Sequence, residues 1–417
     1  MQIVVLMMLT FSLFLDYFTP VASLPHRSYI IVFVFSFLFV LIFFETSRWN
    51  FTQLEKKVFI IYFLYWWYAL SLCLFSEDVS ATFRGTLSYF INRVVVFMIF
   101  LLCFHSRYGS SFYKIPLYIS IILSIQSMIL FLLGTVLQID VSSSIVYAHS
   151  ILGFGDGTGR LQSYFFEANK FAQFLVYPFF LSVAHYKKSG IKIYLFIAAL
   201  IYCTIFLTYS VTVNLAIILT FAIYILLKRE NLGSIVLFSI ILLSGIFMIY
   251  STYYEYLIYN PLNLNSPFFL GKEISYIERI AEQNYSWEIF MENPWGIGFI
   301  SHENSSLIVD KRFSNAALEE IVRMGLSGII LRALLILFVM LSLRNLIIKK
   351  GNKIKIYIGL SFLCLMLASL VYGPFDQVTA LFVLTAFLTF DKNWSMRSRD
   401  IGDQRCFKLS AENGVAK

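Results

Sequence analysis

The sequence predicts an all-α integral membrane protein with about 12 transmembrane helices, and three observations support this fold class. First, 59% of the 417 residues are hydrophobic and only 13% are charged, too few charges to cover the surface of a soluble domain of this size. Second, apolar runs approaching the ~20 residues that a helix needs to cross a bilayer recur along the chain. Third, most connections between the runs are short, which is typical of antiparallel neighbouring helices.

Twelve apolar segments are predicted to cross the membrane. In chain order they are 3–17, 29–44, 58–75, 94–104, 115–133, 171–184, 191–208, 215–227, 235–250, 329–343, 356–372 and 378–390. Several are shorter than a full span and need their flanking residues. The first segment has no basic leader and is followed at once by another span, so we interpret it as a retained helix and not as a signal peptide.

The net charge of +8 is unevenly distributed. Alternate connections, together with the tail that follows the last span, hold 21 of the 32 Lys and Arg residues; these segments are 46–58, 106–114, 186–192, 228–232, 344–355 and 391–417. Basic residues are enriched on the cytoplasmic side of membrane proteins. The pattern therefore predicts a transmembrane domain over 1–390 with both termini in the cytoplasm and a cytoplasmic tail over 391–417, and it makes nucleic acid an unexpected partner.

Two outer loops are much longer than the other connections, and we expect the chemistry there. They run over about 135–167 and 251–315, and long loops in compact architectures are usually functional. In the second loop, Ser275 followed by Glu278 forms a capping box, and Pro294 stops the helix that the box would start.

Neither a metal nor a nucleotide is predicted as a cofactor. The five cysteines are scattered without metal-ligand spacing, so they indicate neither zinc nor disulfides. The glycine-rich run 153–160 lacks the Gly-Lys-Ser/Thr ending of a phosphate-binding loop.

Two blocks of polar residues stand out in the long loops and at their edges. The first is Gly159-Arg160, followed by Glu167-Ala168-Asn169 where the chain re-enters the membrane. Polar groups at that depth are costly and tend to line cavities. The second block contains, in order, Arg279, Trp287, Pro294-Trp-Gly296-Ile-Gly298, Ser314-Asn315 and Gly325-Leu-Ser-Gly328.

In order, loop placement and topology, these two blocks resemble the O-antigen polymerase and O-antigen ligase superfamily. Three positions depart from its pattern. Ala168 stands where Pro is common, and Val211 stands where Arg often follows Ser at the mouth of a middle helix. Ser314 stands where the ligases carry a His that is thought to act on the acceptor. The third departure favours the polymerases, which lack a fixed equivalent.

The resemblance implies a substrate of oligosaccharide repeat units linked through pyrophosphate to a polyprenol, and a glycosyltransferase of the bacterial inner membrane whose active site faces the periplasm. Because no metal-ligand spacing appears among the outer loops, we expect this enzyme to be metal-independent. Membrane lipid and a chain-length regulator protein are the further partners it implies. Arg160 and Arg279 are the candidates for stabilising the pyrophosphate leaving group, because a guanidinium stays charged and meets two oxygens at once. The candidate substrate-binding residues are Asn169, Arg84, Arg323, Asn315, Trp287 and His302.

An acceptor hydroxyl must lose its proton to attack the anomeric carbon, so a base within hydrogen-bond reach is needed. Glu167 is the first candidate, with His302 and Glu303 behind it; equally, Glu167 could serve only to hold Arg160 or to order the loop. Two further arginines, Arg93 and Arg332, lie deeper in the membrane, where a paired or snorkelling structural role is at least as good an interpretation.

Two alternative functions remain open at this point. A ligase of the same superfamily would transfer finished glycan to the lipid A core, and it would share the arginine motifs. A lipid-linked glycan flippase or transporter would carry cationic residues through the interior of several spans, whereas here interior charge is sparse: Arg93, Arg332 and Asp376.

Overall fold

The computed structural model describes residues 51–76, 79–105, 109–133, 168–208, 210–228, 284–298, 316–349, 351–371 and 379–390. Within these ranges every long element is a helix and there is no strand, so the all-α prediction is confirmed for this part of the chain. The predicted spans 3–17, 29–44 and 235–250 and the tail lie outside the described residues. The total of twelve spans and the sidedness therefore stay predictions.

The described helices are numbered here in chain order. They are α1 (Gln53–Leu72), α2 (Val79–Phe90), α3 (Val96–His105), α4 (Ile115–Phe131), α5 (Ala168–Ser189), α6 (Lys192–Leu207), α7 (Val211–Lys228), α8 (284–292), α9 (Ala316–Ile348), α10 (Lys353–Val371) and α11 (Thr379–Phe390). A π-helical turn, Ile91–Val95, joins α2 to α3.

Two stretches of the described chain are both long enough and apolar enough to cross a membrane, Gln53–Phe75 and Glu320–Ile348. Shorter apolar helices accompany them: Arg93–His105, Ile115–Ile129, Lys192–Leu207, Thr212–Ile225 and Thr379–Phe390. Two sequence predictions differ from the observed helices. Residues 76–88, an outer loop between the predicted spans 58–75 and 94–104, contain most of α2, and the predicted span 329–343 belongs to a helix that begins at Ala316.

The centre of the bundle is formed by α5, α10 and α11. α5 packs against α6 and α10, and α10 also packs against α7 and α9. Side chains on all faces of α11 are buried, as expected of a helix that is apolar all round. Its Phe382 ring meets the rings of Phe100, Phe104, Phe112 and Tyr177, with centroids 5.2 to 5.5 Å apart.

The outer faces of the bundle carry large apolar side chains. Trp67 on α1, Ile122 on α4, Phe196 on α6 and Leu337 on α9 are each more than half exposed. Exposed apolar surface spread over several helices is unfavourable in water and marks contact with a partner or with lipid. The arrangement fits a helix bundle surrounded by hydrocarbon.

One end of the bundle, called here the Glu55 end, is rich in lysine. Oε1 of Glu55, in the first turn of α1, lies 3.2 Å from Nε2 of His105, the last residue of α3. The Tyr113 ring then stacks on His185, near the end of α5. These contacts bring together the helix ends near which five lysines lie: Lys56, Lys57, Lys114, Lys187 and Lys188.

Candidate functional site

The helix α9 is broken at Gly325, and this break organises the candidate site. Gly325 has φ 56° and ψ −148°, a backbone conformation that residues other than glycine rarely adopt. The break divides α9 into a short first segment, 316–324, and a long second segment, 326–348. A helix interrupted in this way leaves carbonyl groups on one side and N–H groups on the other without helical partners.

The turn at 294–298 satisfies those groups, and we call it the docked turn. The backbone N–H groups of Ile297 and Gly298 donate to the carbonyl oxygens of Val322 and Arg323, at 3.1 and 2.9 Å. The N–H of Leu326 donates to the carbonyl oxygen of Pro294 at 2.9 Å. The docked turn thus caps both sides of the break.

The glycines of the docked turn and of the break are needed because two backbones meet directly. A Cβ atom on Gly296 would lie 2.5 Å from the carbonyl oxygen of Arg323, and a Cβ on Gly325 would lie 2.3 Å from that of Pro294. Gly296 and Gly298 also have positive φ values, 92° and 81°. The Pro-x-Gly-x-Gly and Gly-x-x-Gly patterns, separate in sequence, are therefore the two halves of one joint.

The joint is also tied to α1 and follows the end of α8. The hydroxyl of Tyr68 donates to the carbonyl oxygen of Trp295 at 2.6 Å. α8 ends at residue 292, just before Pro294, because the residue preceding a proline disfavours helical backbone. The predicted stop of this helix is confirmed, whereas its predicted start, Ser275 with Glu278, lies outside the described residues.

The break brings a carboxylate to an arginine that a straight helix would keep distant. Glu320 and Arg332 are twelve residues apart, or about 18 Å along the axis of a continuous helix. Here Nη1 of Arg332 donates to Oε2 of Glu320. Gly328 permits the two segments of α9 to approach this closely, because a Cβ there would lie 2.6 Å from Cβ of Met324 and 3.2 Å from the Glu320 carbonyl oxygen.

Glu320 is the centre of a group that we call the buried ion cluster: Arg93, Glu320 and Arg332. Nη1 of Arg93 lies 3.4 Å from Oε1 of Glu320. The hydroxyl of Tyr65 donates to the same oxygen at 2.6 Å, and Nη2 of Arg332 donates to Ser369 Oγ. The charged side chains are 9 to 16% exposed. Arg93 and Arg332 are therefore half-buried and paired with Glu320, not snorkelling.

Arg93 owes its place to an irregular helix. It lies on the π-helical turn Ile91–Val95 between α2 and α3. Single π turns inside helices occur frequently at functional sites, where they redirect a side chain. The turn places the Arg93 side chain beside the Glu320 carboxylate on α9.

A cavity of about 50 Å³ adjoins the cluster, room for only a few water molecules. Its polar lining comes from Tyr62, Tyr65, Arg93, Glu320 and Arg332, and the remaining lining side chains are apolar. The lining residues come from α1, the π turn, α9, α10 and α11. In the part of the chain that the structure describes, no group of three or more His, Cys, Asp or Glu residues is arranged to hold a metal ion.

The structure describes four of the sequence-predicted site residues. Arg84 is exposed and lies on α2, not in an irregular loop. Arg323 is half-buried at the joint, Asn169 is half-buried in the first turn of α5, and Trp287 is exposed on α8 and packs against Phe290. Arg323 contacts the docked turn directly through its backbone carbonyl oxygen. The remaining candidates, Arg160, Glu167, Arg279, His302, Glu303 and Asn315, lie outside the described residues.

Sequence reasoning missed the role of Glu320. Glu320 lies between Asn315 and Gly325 of the second block, and Arg93 and Arg332 stand out as charges deep in the membrane, but nothing in a linear sequence joins the three. The available signal was the rarity of charges in apolar helices, which makes their mutual pairing the default expectation. The superfamily often has a Ser-Arg pair at the mouth of a middle helix, and this chain has Ser210-Val211 at that position. Ser210 is buried and Val211 begins α7.

Residues 195–333, about a third of the chain, match the family model described as O-Antigen ligase. No curated protein matches the chain. The matched stretch includes most of α6, all of α7, Arg279, Trp287, the docked turn, the break, Glu320 and Arg332. The match supports the O-antigen polymerase and ligase superfamily as the family of this chain.

Proposed function

We propose that this protein polymerises oligosaccharide repeat units linked to polyprenyl pyrophosphate, on the outer face of a bacterial inner membrane, to build O-antigen or a related surface polysaccharide. The observation that carries the proposal is the match of residues 195–333 to the O-Antigen ligase model. The docked turn adds support, because the glycines that carry the resemblance make one specific backbone joint. Ser314, in place of the ligase His, favours polymerisation over ligation.

In the proposed reaction, the growing glycan leaves one carrier and joins a repeat unit on another. The bond between the anomeric carbon and the pyrophosphate oxygen breaks, and both electrons stay with the polyprenyl pyrophosphate. A hydroxyl of the acceptor unit's terminal sugar forms the new glycosidic bond, and its proton passes to a base. The protein must therefore stabilise negative charge on the leaving group and accept one proton.

Arg160 and Arg279 are the proposed leaving-group partners, since a guanidinium binds two phosphate oxygens in a fixed geometry and cannot lose its charge at working pH. Glu167 is the proposed base, with His302 and Glu303 as the next candidates. Asn169, Arg84, Arg323, Asn315, Trp287 and His302 complete the proposed substrate contacts. Trp287 offers an exposed aromatic face of the kind that stacks on sugar rings.

A second candidate is an O-antigen ligase that transfers glycan to the lipid A core. The description of the matched family model favours it directly. Both candidates use the same donor and the same leaving group, so the proposed roles of Arg160 and Arg279 apply to either. They differ in the acceptor alone.

A deletion strain separates the two candidates. Loss of the polymerase is expected to leave a single repeat unit on the lipid A core, because ligation continues without elongation. Loss of the ligase leaves bare core and glycan retained on its carrier. The measurement is a gel of surface glycans from the deletion strain beside the same strain complemented with the wild-type gene. An unchanged glycan ladder in the deletion strain contradicts both candidates.

A further inference from the structure

The position of Glu320 depends on the docked turn. Glu320 lies on the short segment 316–324, whose last carbonyl groups accept hydrogen bonds from Ile297 and Gly298. That segment is separated from the rest of α9 by the break at Gly325. The Glu320 carboxylate is thus placed next to Arg332 by the backbone contacts between the docked turn and the segment 316–324, not by the spacing of the two residues along one continuous helix.

The buried ion cluster is a poor way to stabilise a helix bundle. Burying two guanidinium groups and a carboxylate costs several kcal/mol in lost hydration, which mutual attraction barely offsets. Apolar side chains of similar volume at the same positions would stabilise the fold about as well or better. The cluster also adjoins a cavity, and ionisable groups that face cavities inside membrane proteins are commonly functional.

The cluster lies directly beneath the joint that carries the family resemblance. Tyr68 binds the docked turn through the Trp295 carbonyl, and Tyr65 binds Glu320. These two tyrosines are three residues apart on α1, or about 4.5 Å along its axis. One helical turn therefore separates the two hydrogen bonds.

We propose that Glu320 is a positioning residue for glycan transfer. It fixes the guanidinium groups of Arg93 and Arg332 at the cavity beneath the docked turn, so that positive charge is in place before the pyrophosphate leaves. Groups that are already oriented stabilise developing charge without reorganising. Glu320 acts through the two arginines and takes no proton in the reaction. This inference rests on the proposed function.

The first test compares single variants in purified protein reconstituted into liposomes with a lipid-linked repeat unit. Glu320→Gln keeps the shape of the side chain but removes the charge that orients both arginines. We expect kcat to fall about 100-fold, the loss associated with misplaced catalytic groups, while KM changes less than about threefold. Glu320→Asp keeps the charge and should recover part of the lost kcat.

The matched control is Glu55→Gln. Glu55 is also a buried carboxylate with a basic neighbour, His105, but it lies at the opposite end of α1 from the docked turn. Its capping box with Thr52 is retained by glutamine at this position. We expect Glu55→Gln to keep the wild-type kcat; an equal loss would overturn the positioning role.

An apolar replacement of the whole cluster separates function from folding. The triple variant Arg93→Met, Glu320→Leu, Arg332→Leu leaves no unpaired charge, so it should unfold at or above the wild-type temperature. We expect it to be folded and inactive. A triple variant with wild-type kcat overturns the proposal, and so does one that cannot fold, because the cluster would then be structural.

The activity of the wild-type protein tests the proposed function separately from the role of Glu320. A wild-type preparation that elongates glycan supports the polymerase, and the variants then test Glu320. A preparation that transfers glycan only to lipid A core refutes the polymerase, and the same variants test Glu320 in that reaction. A wild-type preparation that performs neither transfer overturns both proposals.

Discussion

Replacing Gly325 by alanine should disrupt the joint between α9 and the docked turn. The glycine has φ 56° and ψ −148°, and a residue with a Cβ pays about 1–3 kcal/mol to hold such a conformation. The new Cβ would also lie 2.3 Å from the Pro294 carbonyl oxygen and 2.4 Å from the Trp295 carbonyl carbon. Relieving that overlap costs about 1–3 kcal/mol more, because backbone atoms cannot rotate away.

Gly190→Ala is the matched control. Gly190 also has a positive φ, 71°, but no atom lies within 4 Å of the position of its Cβ. This variant pays only the backbone cost, about 1–2 kcal/mol. We therefore expect Gly325→Ala to lower the unfolding temperature clearly more than Gly190→Ala, and also to reduce glycan transfer because Glu320 loses its position.

Buried thiols report the unfolding. Cys73, Cys103 and Cys364 are buried and form no disulfide, so a thiol-reactive fluorogenic dye labels them as the protein opens on heating in detergent. Cys203 is exposed and Cys406 lies in the tail, so both are first replaced by serine to reduce background labelling. Equal unfolding temperatures for Gly325→Ala and Gly190→Ala would refute the steric argument for the joint.

Two further predictions concern the joint and the chemistry. Tyr68→Phe removes the hydrogen bond to the Trp295 carbonyl, which is on the exposed side of the joint. We expect the free energy of unfolding to fall by about 1 kcal/mol, so the unfolding temperature should drop less than in Gly325→Ala. An equal drop would contradict this ranking. Glycan transfer by the purified protein should continue unchanged in excess EDTA, since the proposed charge stabilisation comes from guanidinium groups; activity that is lost with EDTA and restored by a divalent cation would show that a metal takes part.

The helices were the part of the fold that the sequence predicted well. Apolar runs identify membrane helices because the length of the run is set by the bilayer. The observed α4 and α6 begin within a residue of their predicted starts at 115 and 191. Their ends lie within two residues of the predicted ends at 133 and 208, because the loss of hydropathy marks the same boundary.

The break at Gly325 could not be predicted in the same way. Hydropathy continues across it, and a glycine inside an apolar helix is compatible with an unbroken helix. The conformation is set by a partner 27 to 31 residues earlier in the chain, the docked turn. For the same reason the sequence does not predict the pairing of Glu320 with Arg93 and Arg332, since this pairing depends on how the two segments of α9 meet the π-helical turn.

In the proposed reaction, the guanidinium groups of the predicted outer loops stabilise the departing pyrophosphate. The most direct measurement is the glycan ladder of the deletion strain complemented with Arg160→Ala or Arg279→Ala, with the amount of each protein in the membrane determined in parallel. Arg344→Ala is the control, because Arg344 is an exposed arginine near the end of α9 and is given no role in the reaction.

We predict that Arg160→Ala and Arg279→Ala each abolish the ladder at wild-type protein levels and that Arg344→Ala leaves it intact. Normal ladders from both Arg160→Ala and Arg279→Ala would contradict the assignment of these residues to the leaving group.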